Sequence, residues 1–88
     1  MIAPKLAAQI LRDYLAYLRT GDNMPEPKEI SEAMKAGIAL MNLDKMLKPD
    51  AEALQQHLNW RLGICETRDS RYVTHSAVWA AIHTLEAQ

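Results

Sequence analysis

Apolar residues recur at three- and four-residue spacing in four successive stretches, and proline, glycine or a polar cluster separates each stretch from the next. That spacing places side chains on one face of an α-helix, whose period is about 3.6 residues, rather than on the alternating faces of a strand. The residue inventory agrees. Ala, Leu and Met supply 29 of the 88 residues, whereas Val occurs twice and Phe is absent, a bias toward helix formers over strand formers. We therefore expect an all-α protein: a compact bundle of four main helices with a short extra helical turn near 43–47. A chain of 88 residues suits one domain, 1–88, and is too short for two cores.

The first predicted helix runs from about Pro4 to Thr20. Pro4 suits the first helical position, and Gly21-Asp22-Asn23 supplies the stop. Leu6, Ala7, Ile10, Leu11, Tyr14, Leu15, Tyr17 and Leu18 cover about 200° of its wheel, wide enough for two neighbours. Lys5, Arg12 and Arg19 recur every seven residues on the opposite face, as a solvated face or a basic contact stripe. Met24-Pro25-Glu26-Pro27 is an extended connector. A second helix begins near Pro27 and carries the stripe Ile30, Ala33, Met34, Gly37, Ile38 and Met41. Leu43, Met46 and Leu47 fall out of phase with that stripe. The spacing therefore predicts a break at Asn42, a residue that tolerates a left-handed cap, and a separate short turn from Leu43 to Leu47.

Pro49 opens a third helix, expected to reach about Cys65. Its apolar arc is formed by Ala51, Ala53, Leu54, Leu58, Trp60, Leu62, Ile64 and Cys65. His57 and Arg61 project from the middle of that arc, while Gly63 lies on the polar side and weakens the helix end. Residues 66–71 read as a polar loop, and Thr74 as the N-cap of a final helix from about His75 to Glu86. Val78, Ala81, Ile82 and Leu85 are its core stripe. Trp79 lies at the stripe's edge, with His75 one turn before and His83 one turn after.

Several kinds of chemistry find little support. Ten Lys plus Arg against eleven Asp plus Glu leave a net charge of -1, which gives no broad reason to expect a nucleic-acid or anionic-membrane surface. Cys65 cannot form an intramolecular disulfide, and no signal region opens the chain, so a cytoplasmic setting is expected. No apolar run approaches the roughly 18 residues of a membrane span. His75 and His83 are about 12 Å apart along a helix, too far to share one ion, and no metal-ligand spacing accompanies them. Cys65 with His57 is the one nucleophile and base pair to consider, but the two point in different directions two turns apart. The three glycines are isolated, so no phosphate loop exists. No catalytic constellation, metal site or cofactor is expected.

Binding is what remains. Arg61 within an apolar arc calls for an explanation: a snorkelling head, a carboxylate such as Asp13 or Asp44, or a second chain that accepts the guanidinium. His57 would share that contact, and Trp60 sits at its edge. Trp79 either covers the margin of the core or stands out as an anchor, flanked by histidines that titrate near 6.5 when unperturbed. Arg68 and Arg71 neighbour Tyr72 and precede this helix. Arg68, Arg71, Tyr72 and Trp79 therefore form the first candidate partner-binding patch, with Arg61 and Trp60 the second. The expected function is that of a small non-catalytic regulatory protein, an inhibitor or adaptor, that binds another protein and modulates its activity or assembly. Two alternatives stand beside it: a nucleic-acid-associated regulator using the Arg/aromatic patch, and a self-associating homodimer.

Overall fold

Helices α1 (Pro4–Thr20), α2 (Pro27–Met41), α3 (Lys48–Arg61) and α4 (His75–Glu86) follow one another in the computed structural model, with a 3₁₀ turn, Lys45–Leu47, leading into α3. The structure describes residues 2–64 and 75–88. The expected all-α bundle and its extra turn are present. α2 packs against the other three helices, and α4 also packs on α1 and α3. The radius of gyration is 11.8 Å, against about 12 Å expected for a compact chain of this length.

Local signals set most of the boundaries. Pro4, Pro27 and Pro49 each stand in the first turn of a helix, where a missing N–H costs nothing. α1 stops at Gly21, whose φ of 78° lets its N–H return to the Tyr17 carbonyl at 2.7 Å. α2 ends at Asn42 as expected, but Asn42 stays right-handed at φ -65°. The left-handed cap is unnecessary there because the chain goes straight on into turns: Leu43 N–H bonds to the Leu40 carbonyl and Asp44 N–H to that of Met41. The Asp44 carboxylate then caps the 3₁₀ turn by accepting the Met46 N–H at 2.9 Å.

The expected extent of α3 is corrected at both ends. It begins one residue early, at Lys48, and stops at Arg61 instead of continuing to about Cys65. Gly63 is the cause. At φ +75° it closes the helix with paired bonds, Ile64 N–H to Asn59 carbonyl at 2.9 Å and Gly63 N–H to Trp60 carbonyl at 3.0 Å. A glycine read from its wheel position as a mild weakness is the terminator. Leu62 and Ile64, assigned to the apolar arc of α3, are consequently exposed.

The core draws on all four helices: Leu11 and Tyr14 from α1, Ile30 and Met34 from α2, Leu54 and Leu58 from α3, Val78 and Ile82 from α4. α1 buries a narrower stripe than its wheel suggested, since Leu6 and Leu18 remain exposed. α2 and α4 approach closely at Gly37, where a Cβ would lie 3.0 Å from the Ala81 Cβ. Cys65, the expected loop from 66 and the Thr74 cap lie outside the described residues.

Candidate functional site

Two polar-aromatic clusters flank α1. In the first, His57 and Arg61, one turn apart on α3, face Tyr14 of α1. His57 is only 2% exposed, and its Nε2 lies 2.7 Å from the Tyr14 hydroxyl. Arg61 donates from Nη1 to the same hydroxyl at 3.2 Å, sets its guanidinium 5.2 Å from the centre of the Tyr14 ring, and reaches the Met24 sulfur with Nη2. The Trp60 ring tilts against His57 at 5.5 Å, and Tyr17 stacks on Tyr14 at 6.2 Å. Burial pushes the Tyr14 hydroxyl above its ordinary value, outweighing the Arg61 guanidinium, which pulls it down.

This arrangement answers the anomaly of α3. The stripe that α3 buries runs Ala51, Leu54, His57, Leu58, so His57 belongs to the core face and Arg61 continues it at the margin. Neither Asp13 nor Asp44 takes the guanidinium; a phenol and its ring do. Nothing in the chain's spacing pointed to Tyr14, which lies 43 residues from His57. The available hint was that a tyrosine in a buried stripe needs a hydrogen-bond partner for its hydroxyl. Arg61 and Trp60, the second candidate patch, are therefore half-buried and engaged within the fold.

The second cluster joins α1 to α4. Arg12 grips Glu86 side-on, Nε to Oε2 at 3.2 Å and Nη2 to Oε1 at 2.8 Å, and its guanidinium lies 5.0 Å from the Trp79 ring centre. Bonding from Arg12 holds the Glu86 carboxyl below its usual range. The His83 ring tilts against that of Trp79, with centroids 5.5 Å apart. Trp79 nevertheless keeps 40% of its surface open. Beside it is a cleft of about 170 Å³ lined by Arg12, Leu15, Arg19, His75 and Trp79. Two members of the basic stripe on α1, Arg12 and Arg19, thus line one cleft with the exposed tryptophan of α4. Lys5, the third member, does not line the cleft.

Of the first candidate patch, Trp79 is placed in this cleft, while Arg68, Arg71 and Tyr72 lie outside the described residues. A larger concavity of about 990 Å³ opens where α1, α2 and α4 meet, with Leu6, Ile10, Ala36, Leu40 and Leu85 among its walls. Its lining is mostly aliphatic, with Glu29, Glu32 and Lys35 of α2 also on it and no aromatic ring or arginine, and sequence spacing gave no sign of it because it forms between helices.

Among the described residues, no three His, Cys, Asp or Glu side chains come close enough to hold a metal ion. No helix among them is long and apolar enough to cross a membrane. Comparison with known proteins returns no matching family model, no matching curated sequence and no matching solved structure.

Proposed function

We propose that this chain is a small, non-catalytic regulatory protein of the cytoplasm that docks on another protein through the α1/α4 face carrying Trp79, and alters that partner's activity or assembly as an inhibitor or adaptor does. One observation carries the reading: Trp79 is open to solvent yet held in place, with Arg12 stacked over it and Arg12 itself fixed by Glu86. Tryptophan and arginine are the side chains most enriched among residues that dominate protein interfaces. An anchor already immobilised loses little rotamer freedom on binding. The aliphatic concavity offers neither residue type.

The test is capture from native lysate by the tagged chain, with and without nuclease, beside a Trp79→Ala variant checked for folding by circular dichroism. The expected outcome is one discrete protein retained after nuclease and lost with Trp79→Ala. Recovery that disappears with nuclease, and falls steeply with salt as counterion release requires, would replace this reading with a nucleic-acid partner. Light scattering over a range of concentrations separates self-association from both.

A further inference from the structure

We infer that the cleft between α1 and α4 is a receptor for an acidic side chain of a peptide segment, an Asp or Glu whose apolar neighbour covers the Trp79 ring. The inference rests on the docking reading above and adds to it the chemistry of the partner. Arg12 uses Nε and Nη2 on Glu86, which leaves its Nη1 without a hydrogen bond among the described residues. Arg19 lies seven residues further on, about 10 Å along the helix at 1.5 Å per residue. Among the described residues it has no ion-pair or hydrogen-bond partner. Both arginines line the same space, together with Leu15 of α1 and with His75 and Trp79, one turn apart on α4.

A guanidinium clamped by a carboxylate on one edge and an aromatic face below keeps its other edge aimed at a fixed place, so a second acceptor meets a pre-formed donor. The volume, about 170 Å³, suits one side chain rather than a helix. Its polar and aromatic lining matches an anion on a short apolar stem.

The charge layout favours a peptide over a nucleic acid. A phosphate backbone calls for a row of cations that releases many counterions. Here two arginines stand together, Glu86 lies against one of them, and the whole chain carries a net charge of -1. A single carboxylate beside an apolar residue needs no such row, because Arg19 and the Arg12 Nη1 that Glu86 does not engage are donors enough for it.

The experiment is selection of a phage-displayed random dodecapeptide library on the biotinylated full chain. The peptide most enriched is then labelled and its affinity measured by fluorescence polarisation. We expect enriched sequences to place Asp or Glu next to an aromatic or aliphatic residue. Binding should weaken by about tenfold or more in Arg19→Glu, the loss expected for a charged hydrogen bond. Lys5→Glu makes the same change in net charge outside the cleft and should leave affinity unchanged. Circular dichroism shows that both variants fold. Enrichment without acidic residues, equal loss in Lys5→Glu, indifference to Arg19→Glu, or no enrichment at all would each overturn the inference. Displacement of the peptide by an oligothymidylate at lower concentration than by free peptide would overturn it in favour of nucleic acid. The docking reading is judged separately: a partner lost with Trp79→Ala but kept by Arg19→Glu leaves that reading standing and the acidic cleft refuted.

Discussion

Tyr14 is the residue on which the polar interior turns, because one hydroxyl meets both the buried His57 and the half-buried Arg61. Replacing it with Phe keeps the ring in the core but removes the hydroxyl that His57 Nε2 and Arg61 Nη1 both meet. Loss of a partner at a buried polar group costs about 1 to 3 kcal/mol, and we expect Tyr14→Phe to lower stability by that amount at neutral pH in urea unfolding. The same residue fixes a pH dependence. Burial raises its ionisation above the ordinary value of 10.0, so in the alkaline range the unfolded chain releases the proton first. Stability is therefore full below about pH 10 and declines as pH rises through the folded-state value. Tyr14→Phe lacks this decline, so the urea midpoints of the two proteins should converge between neutral pH and about pH 11; a constant gap would show that Tyr14 ionises freely in the fold. The oddity at this site was legible in the sequence, since His57 and Arg61 broke an apolar arc. Its resolution was not, because no local spacing relates α3 to a tyrosine on α1.

At the scale of elements, the same substitution at two glycines separates two causes. Gly37 sits inside α2, where alanine is the better helix former by about 1 kcal/mol. A Cβ there would stand 3.0 Å from Ala81 Cβ and 3.5 Å from a Leu85 methyl. Ala81 has no side-chain freedom with which to yield, so α2 and α4 must move apart, and overpacking of this kind costs about 1 to 3 kcal/mol. We expect Gly37→Ala to destabilise, and Ala81→Gly to recover part of the loss in the double variant. Gly63 has open space around its missing Cβ, so the penalty there comes from the backbone alone. Holding alanine at φ +75° costs about 1 kcal/mol. Gly63→Ala should lower the thermal midpoint without any rescue from a neighbouring small residue. The contrast also shows why the starts of α1, α2 and α3 were easier to read than the end of α3. Proline marks a first turn through its own ring, whereas a terminating glycine is identical in sequence to a merely tolerated one until its φ is known. Gly37 was placed in the right stripe by periodicity, yet its closeness to Ala81 depends on the packing of two helices.

On the scale of the whole molecule, one core receives side chains from every helix, and α2 touches the other three. Periodicity disclosed this class and most of its core. It overstated the breadth of α1, because a wheel ranks directions by hydropathy and cannot say which of them a neighbour will cover. Leu6 and Leu11 make the distinction measurable. Both were read into one apolar arc, but Leu11 is fully buried whereas Leu6 is 56% exposed on the wall of the aliphatic concavity. Truncating a buried leucine removes transfer energy and leaves a cavity, together about 2 to 5 kcal/mol, whereas a change at an exposed position stays within about 0.5 kcal/mol. Leu11→Ala should thus lower the urea midpoint strongly and Leu6→Ala hardly at all. Because the core is shared, the loss at Leu11 should spread to every helix. The two tryptophans report on that separately, Trp60 on α3 and Trp79 on α4. In Trp60→Phe and Trp79→Phe backgrounds carrying Leu11→Ala, the fluorescence transition of the remaining tryptophan should coincide with the helical signal at one midpoint, as a two-state domain requires. Separate midpoints for Trp60 and Trp79 would mean that α3 and α4 unfold independently, and that the shared core does not bind the bundle into one cooperative unit.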